Sequence, residues 1–125
     1  MIKTIALAYR KTGLSREEYN KYWLEKHGPL AARLIPYVKK YVQNHFIDVP
    51  GLAYEGDGVV EMWYDNIEAW KKSRQAIFSN QELAKDAADF VLMRPGGFWV
   101  VEEHVILDKT GKNDLDNDFG TSLSD

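Results

Sequence analysis

The 125-residue sequence predicts an α+β domain of the ferredoxin-like class. This class is a split β-α-β-β-α-β arrangement in which a four-stranded antiparallel sheet carries its helices on one face. Three observations predict it: strand-like and helical segments alternate in this order, helix-start signals follow the first and third strands, and 45% of the residues are hydrophobic. A chain of this length usually forms one domain and buries roughly two-thirds of the surface that it exposes when unfolded.

The first half of the chain is predicted to hold a strand, a kinked helix and a second strand. Lys3 to Arg10 is a short apolar strand, and Ser15 with Glu18 makes a capping box that begins a helix. The helical pattern runs through His27-Gly28-Pro29, a helix-stop signal that predicts a kinked or two-piece helix. Tyr37 to Asp48 is rich in Tyr, Val, Phe and Ile, which predicts the second strand.

The second half is predicted to hold two strands separated by helix. Val59 to Tyr64 is the third strand. Capping boxes that start at Asp65 and Ser79 follow it, so two short helices in series and one bent helix fit the pattern equally well. Phe98 to Leu107 is predicted to be the fourth strand. It is apolar on both faces except at the polar residues in its second half.

The formal net charge of -3 arises in the last eighteen residues. Residues 108–125 are rich in Gly, Asn, Asp and Ser and show no periodicity, so we expect residues 1–107 to form the domain and residues 108–125 a flexible acidic tail. A short amphipathic helix through Leu115, Phe119 and Leu123 that binds a partner subunit is the alternative. The domain itself has no basic stripe, so we expect no nucleic-acid partner.

Composition also limits the chemistry. The chain has no cysteine, which excludes disulfides, thiolate metal sites and a cysteine nucleophile. It has neither paired metal-ligand histidines nor a phosphate-cradling glycine loop, and we expect no metal and no cofactor. The sequence shows no signal-peptide pattern and no apolar stretch long enough for a bilayer, so we expect a cytoplasmic protein without a membrane partner.

The sheet face opposite the helices is predicted to need a cover. The first, second and fourth strands carry large apolar residues at both odd and even positions, and therefore on both faces of the sheet. A chain of this size has no further element to cover the second face. A homodimer joined sheet to sheet is the simplest solution. The alternative is a monomer whose second face is only moderately apolar and is screened by the tail.

Two of the three histidines have unusual surroundings. His27 precedes a Gly-Pro pair, where a protonated imidazole that caps helix carbonyls is the ordinary explanation. Tyr41, Gln43 and His45 share one face of a strand because side chains alternate with a period of two. These three polar groups form either a structural hydrogen-bond ladder or a site that faces a ligand.

Two carboxylates and two tryptophans each have a structural and a functional explanation. Asp57 begins the third strand, where a turn role is more ordinary than a catalytic one. Glu61 lies amid apolar residues, so a salt bridge is its first explanation and an acid of raised pKa its second. Trp23 and Trp63 belong either to the core or to the wall of a pocket for a flat apolar ligand.

Several motifs together resemble the EthD-domain family, which is named from ethyl tert-butyl ether degradation. The likeness runs from about Thr4 to Leu107, and its most specific elements are His-Gly-Pro and Tyr-x-Gln-Asn-His, in this order. The residues that carry it are Tyr9-Arg10, Leu14 to Tyr19, Tyr22-Trp23, His27-Gly28-Pro29-Leu30, Tyr41 to His45, Asp57-Gly58-Val59 with Glu61 and Trp63, and Asp86 with Asp89-Phe90. The resemblance implies a dimeric α+β barrel.

The resemblance also implies a range of activities. Relatives include polyketide cyclases of the tetracenomycin type, fungal polyketide dehydratases and decarboxylases, methylmuconolactone isomerases and proteins of no known activity. We therefore expect a small cofactor-independent lyase or cyclase, of the dehydratase, decarboxylase or isomerase type, that acts on an aromatic or polyketide-like carbonyl compound. The alternatives are a cofactor-free or haem-linked monooxygenase and a non-catalytic accessory protein that binds a small molecule.

The family's recurring histidines correspond to His27 and His45. In the leading hypothesis, His45 removes a proton alpha to a carbonyl, and Tyr41, Gln43 or Asn44 hydrogen-bonds the developing enolate oxygen. His27 either protonates a leaving hydroxyl or positions the carbonyl, with Asp57 as its orienting group. The residues expected to bind substrate are Tyr41, Gln43, Asn44, Tyr9, Trp23, Glu61 and Trp63. One position departs from the family pattern, because members often carry an acid two residues after the equivalent of Phe90 and this chain has Leu92 there.

Overall fold

A computed structural model describes residues 1–111. Its elements are β1 (Ile2–Ala8), α1 (Arg16–Tyr22), a π-helical segment (Trp23–His27), α2 (Gly28–Leu34), β2 (Lys40–His45), β3 (Gly58–Tyr64), α3 (Ile67–Phe78), α4 (Gln81–Phe90) and β4 (Phe98–Glu102). The four strands form one antiparallel sheet in the order β2-β3-β1-β4. This topology confirms the predicted α+β ferredoxin-like fold. Most of the predicted tail, from residue 112 onward, lies outside the described residues.

The strand register decides which side chains face the helices. His45 pairs with Gly58 and Gly58 pairs with Ala8, while Gln43 pairs with Val60. Because directly paired residues of antiparallel strands share a face, these side chains lie on the helix-covered side of the sheet. The alternating residues of the same strands lie on the opposite side.

The first helical region begins as predicted and consists of two α-helices joined by a π-helical segment. Ser15 and Glu18 form the predicted capping box, with the Ser15 side chain accepting from the Glu18 N–H at 3.0 Å. The predicted two-piece helix is observed, because the π-helical segment separates α1 from α2, which begins at Gly28-Pro29. Proline is tolerated in the first turn of a helix, and the N–H of Gly28 donates to the carbonyl of Trp23 across the wider π-helical turn.

The third and fourth helices are two separate helices, which was one of the two predicted alternatives. Their N-caps are Asn66 and Asn80, one residue after the predicted caps Asp65 and Ser79. Each asparagine side chain accepts from a backbone N–H three residues later at 2.9 Å. Asparagine is among the best N-cap residues, so it takes the position from the neighbouring acid or serine.

Three strands are shorter than predicted. β1 ends at Ala8 instead of Arg10, and β2 spans Lys40–His45 instead of Tyr37 to Asp48. β4 ends at Glu102 instead of Leu107 because Glu102 pairs with Ile2, and β1 offers no partner residue beyond it. A strand is defined by its ladder of hydrogen bonds, so the apolar residues after β4 are not part of the sheet.

The best-buried core cluster consists of Tyr19, Trp23 and Phe90, which are 1%, 1% and 2% exposed. The ring of Tyr19 lies 5.4 Å from each of the other two rings, and the cluster packs on Ala8 and Val60 of the sheet. This cluster therefore joins α1, the π-helical segment and α4 to the sheet.

The sheet face opposite the helices combines apolar side chains with an ion-pair network. Lys3 donates to Glu61 at 2.9 Å and to Glu103 at 2.8 Å, and the indole N–H of Trp63 donates to Glu103 at 2.8 Å. These hydrogen bonds raise the pKa of Lys3, and the Lys3 ammonium lowers the pKa of Glu61. The salt-bridge explanation of Glu61 is therefore correct, and the alternative of a raised pKa is wrong.

Apolar residues surround this network, among them Ile5, Leu7, Val42, Val59 and Trp99. Trp99 is 50% exposed, and no element of residues 1–111 covers this face. Within the same residues, no helix is both long and apolar enough to cross a membrane.

Candidate functional site

Two cavities lie on the helix-covered side of the sheet. Trp23 lines the first and stacks on His45, which lines the second. The first, called here the aromatic cavity, has a volume of about 320 Å³ and lies between β1, the π-helical segment and the chain that follows α4. Its polar or aromatic lining residues are Tyr9, Tyr19, Trp23, His27, Phe90, Arg94 and Phe98. The second, called the β2 cavity, has a volume of about 560 Å³ and is lined by Leu24, Gly28, Pro29, Ala32, Tyr41, Gln43 and His45.

A hydrogen-bonded network of three side chains reaches the aromatic cavity through His27, which lines it. Nδ1 of His27 lies 2.5 Å from Oδ2 of Asp86, and the hydroxyl of Tyr22 donates to Oδ1 of Asp86 at 2.8 Å. A carboxylate only accepts hydrogen bonds, so Nδ1 of His27 carries the hydrogen. Nε2 is consequently the ring nitrogen left free to exchange a proton.

The Tyr22 hydroxyl keeps its proton in this network. Burial, together with its hydrogen bond to Asp86, raises the pKa of Tyr22 to about 12. Tyr22 therefore stays protonated at neutral pH and donates continuously. The Asp86 side chain is only 7% exposed, and both of its oxygens are occupied. A carboxylate so placed fixes the orientation of the imidazole.

Two local features of the helices position these residues. Asp86 and Phe90 stand four residues apart on α4, so they lie on the same helix face. The π-helical segment ends at His27, whose side chain makes no helix-capping hydrogen bond. The imidazole instead lies 4.9 Å from the Phe90 ring, and the capping explanation of His27 is wrong. π-helical turns occur frequently at functional sites because they redirect a side chain that a regular α-helix would place elsewhere.

The β2 cavity is organised by a chain of hydrogen bonds centred on Gln43. Its amide nitrogen donates to the Trp23 carbonyl at 2.8 Å and to the Tyr41 hydroxyl oxygen at 2.9 Å. Its carbonyl oxygen therefore accepts from Nε2 of His45, at 2.7 Å. The predicted placement of Tyr41, Gln43 and His45 on one strand face is thus observed, and the three groups form a ladder.

His45 is held as a neutral ring in this arrangement. It stacks on Trp23 with ring centroids 4.4 Å apart and planes only 9° from parallel. Burial lowers the pKa of His45, since removing the ring from water disfavours the charged form. His45 is therefore uncharged at neutral pH, with its Nδ1 unused by the ladder.

The structure does not bring His27 and His45 into one cavity. His27 lines the aromatic cavity, His45 lines the β2 cavity, and neither cavity is lined by both. The predicted action of the two imidazoles on one substrate, with His45 removing a proton and His27 protonating the leaving group, is therefore not accommodated by either of these two cavities.

Asp57 does not contact His27, contrary to the expectation that it orients this imidazole. Its carboxylate accepts from the backbone N–H of Arg10 at 3.0 Å and from Nε of Arg16 at 3.1 Å, and the residue is 5% exposed. These contacts tie the end of β1 and the start of α1 to β3. Asp86 is the acid that contacts His27.

The other predicted binding residues fall into two groups. Tyr9 and Trp23 line the aromatic cavity, as a binding role requires. Asn44, Glu61 and Trp63 lie on the opposite face of the sheet, where Asn44 donates to Glu61 at 3.0 Å. A shift of one residue along a strand moves a side chain to the other face, which separates Asn44 from its neighbours Gln43 and His45.

Sequence reasoning assigned no functional role to Asp86, Tyr22 or Arg94. A signal for Asp86 exists in the sequence, because it falls within the apolar stripe of Leu83 and Phe90 on α4. A carboxylate in such a stripe needs a polar partner, and Tyr22 and His27 provide two. Arg94 follows no periodic pattern, so no comparable signal marks it.

The fold and the site define a small ferredoxin-like α+β protein with a buried histidine–carboxylate pair beside an aromatic cavity. The chain belongs to the EthD-domain family, whose model matches residues 11–92. This match spans Tyr22, His27 and Asp86 as well as all of β2 and β3. The predicted resemblance is thereby confirmed.

Solved structures of similar fold agree with this assignment. An ethyl tert-butyl ether degradation (EthD) family protein from Bacillus halodurans C-125 is 21% identical, with a TM-score of 0.57 over 83% of this chain and 99% of that one. An EthD-like protein from Ralstonia eutropha JMP134 is 16% identical, with a TM-score of 0.57 over 87% and 95% of the two chains.

A third structure, from Bacteroides fragilis NCTC 9343, is a dimeric protein of unknown function with a ferredoxin-like fold. It is 16% identical, and its TM-score is 0.51 over 80% of this chain and 91% of that one. At these identities the likeness establishes the fold. No curated protein matches this sequence.

Proposed function

We propose that the chain is a cofactor-independent lyase, cyclase or isomerase that moves protons on a small carbonyl compound with an aromatic or polyketide-like body. The single observation that carries the proposal is the hydrogen-bonded network of Tyr22, Asp86 and His27, whose imidazole lines the aromatic cavity. Imidazole is the side chain best suited to exchange protons near neutral pH. A buried carboxylate on one ring nitrogen leaves the other nitrogen oriented for general acid–base catalysis.

The proposed reaction uses His27 alone as the proton carrier. Nε2 accepts a proton from the carbon next to the carbonyl group, and the electron pair of that C–H bond forms an enolate. The imidazolium is stabilised by Asp86, which keeps accepting the Nδ1 hydrogen. The proton then returns to another carbon in an isomerisation, or to a departing hydroxide that leaves as water in a dehydration.

The surroundings of the aromatic cavity support an apolar substrate body. Tyr19, Trp23, Phe90 and Phe98 supply aromatic walls, and Ala6 and Ala8 leave space above β1. A volume of about 320 Å³ lies at the small end of the range of roughly 300 to 1,000 Å³ for ligand sites. This size suits a ligand of one or two rings better than an extended polyketide.

The proposal predicts enzyme-accelerated exchange of alpha protons with deuterated water. Acetophenone, 1-tetralone and phenylpyruvate are incubated with the protein in D₂O, and loss of the alpha-proton signal is followed by NMR. We expect at least one of these aromatic carbonyl compounds to exchange faster than in buffer, since His27 supplies a positioned base. Exchange at the buffer rate for all three compounds, with the protein shown to be folded, would contradict the proposal.

We propose further that the protein is a homodimer whose sheets pack face to face. The apolar surface around Ile5, Val42 and Trp99 supports this arrangement because no element of residues 1–111 covers it. The dimeric state of the similar Bacteroides fragilis protein points the same way. A stable dimer of standard size needs about 800 Å² of buried surface per partner, which is the scale of one face of a four-stranded sheet.

A charge placed on this face should separate the subunits. Trp99→Glu is expected to convert a dimer into a monomer, because a second sheet cannot cover an unpaired carboxylate. Phe78→Glu is the matched control, since Phe78 is an exposed aromatic residue of α3 on the other side of the molecule. Light scattering of all three proteins decides the question, and a monomeric unmodified chain at micromolar concentration would disprove the dimer.

A further inference from the structure

We infer that the substrate of the proposed reaction carries an anionic group, a carboxylate in the simplest case, and that Arg94 binds it at the aromatic cavity. This inference rests on the proposed function, because it names the substrate class of the same cavity. The starting observation is the charge of the cavity lining. Apart from the titratable His27, Arg94 is the one lining residue with an ionisable charge near neutral pH.

Arg94 has no carboxylate partner in the part of the chain that the structure describes. Among residues 1–111, Arg10 and Arg16 share Asp57, and Lys3 is held by two glutamates, whereas no acid lies within ion-pair distance of Arg94. Its neighbours along the chain do not compensate, because Leu92 and Met93 are apolar and also line the cavity. Within residues 1–111, no acid therefore neutralises the positive charge of Arg94 at this cavity.

The guanidinium is nevertheless held in place. It lies over the ring of Tyr9 at 4.7 Å from the centroid, and the Tyr9 hydroxyl donates to Glu55 at 2.8 Å. Stacking of this kind orients the guanidinium plane and leaves its N–H groups available at the edge. A planar fork of N–H donors matches the two oxygens of a carboxylate, and such paired charged hydrogen bonds are among the strongest in proteins.

The position of Arg94 complements that of His27. Both line the aromatic cavity together with several aromatic rings, so a ligand could place an apolar body against the rings and a carboxylate at Arg94. The carboxylate would then fix the register of the ligand relative to Nε2 of His27. Ligand sites commonly use a few charged groups in this way to set orientation within an apolar pocket.

The test compares benzoate with benzamide, two probes of the same shape that differ in charge. Binding to the full chain is measured by calorimetry and by ¹H–¹⁵N NMR of the amides of Gly96 and Gly97, which line the cavity beside Arg94. We expect benzoate to bind about tenfold more tightly than benzamide, since a charge-assisted pair is stronger than a neutral hydrogen bond. Arg94→Gln should abolish this preference, and Arg94→Lys should retain part of it.

Arg74→Gln is the matched control. The Arg74 guanidinium also lies over aromatic rings, at 5.8 Å from Trp70 and 5.0 Å from Phe78, but it belongs to α3 and does not line the aromatic cavity. This variant should keep the full preference for benzoate. Equal binding of the two probes to the unmodified chain, an unchanged preference in Arg94→Gln or no saturable benzoate binding would each overturn the inference.

The same experiment separates this inference from the proposed function. His27→Gln should keep the preference for benzoate because His27 does not contribute the fixed positive charge. A benzoate preference in a protein that never accelerates proton exchange would leave the anion site standing and disprove the catalytic role. Proton exchange without a benzoate preference would do the reverse.

Discussion

Replacing His27 with glutamine is expected to lower the rate of alpha-proton exchange by about 10²- to 10⁴-fold, the usual contribution of one general acid–base group. Glutamine keeps an uncharged polar side chain of similar length with an N–H that can donate a hydrogen bond. It cannot accept and return a proton near neutral pH. The rate in D₂O, measured with the best compound of the exchange panel, reports this loss directly.

His45→Gln is the matched control for that experiment. His45 lines the β2 cavity and is neutral, so its replacement should change the exchange rate by only a small factor. Comparable losses in the two variants would show that both imidazoles serve one reaction, as the sequence first indicated. A full rate in His27→Gln would remove the acid–base assignment altogether. Circular dichroism of both variants checks that the fold is kept.

Replacing Asp86 with asparagine tests whether this carboxylate orients the imidazole of His27. An asparagine at this position can donate a hydrogen bond to Nδ1, and the hydrogen of the neutral ring would then lie on Nε2. The imidazole would remain in the cavity in a tautomer that cannot accept a proton at Nε2. The role of Asp86 is therefore positional, and it accounts for a buried carboxylate that packing alone would not favour.

The fold could be predicted because its signals are local. The capping box of Ser15 and Glu18, and the apolar strands separated by helical segments, each identify an element from a few neighbouring residues. Element ends were harder, since they depend on partners distant in sequence. β4 illustrates this, because its length is set by the point at which β1 stops offering hydrogen bonds.

The site was only partly predictable, for a related reason. Two-residue alternation placed Gln43 and His45 correctly on one strand face. Nothing local to the chain indicated that Trp23 would insert beside His45 and divide the space between the two histidines. Likewise, the contact of His27 with Asp86 joins residues 59 positions apart, so no spacing rule could identify it.

Trp23 contacts both the aromatic core cluster and the ladder of Gln43 and His45. It is 1% exposed, its ring packs against Tyr19 and stacks on His45, and its carbonyl accepts from Gln43. The sheet makes room for it at Gly58, where an added Cβ would lie 2.7 Å from the indole and would also overlap the Asn44 carbonyl oxygen. Glycine is therefore required at the point where the indole meets β3.

Trp23→Ala is expected to destabilise the fold by about 3 to 5 kcal/mol, the usual cost of removing a large aromatic side chain from a well-packed core. Gly58 has no side chain that could fill the space, so the cavity should remain and the cost should lie toward the upper end. Urea unfolding followed by circular dichroism measures the loss without relying on tryptophan fluorescence.

Leu24→Ala is the control for this variant, because Leu24 is the next residue of the same helical turn and is 60% exposed. Its replacement tests helix propensity at nearly the same position and should change the free energy of unfolding by less than about 1 kcal/mol. Similar small losses in both variants would contradict the central position given to Trp23. A large loss confined to Trp23→Ala would show that the residue dividing the two cavities also holds the helices on the sheet.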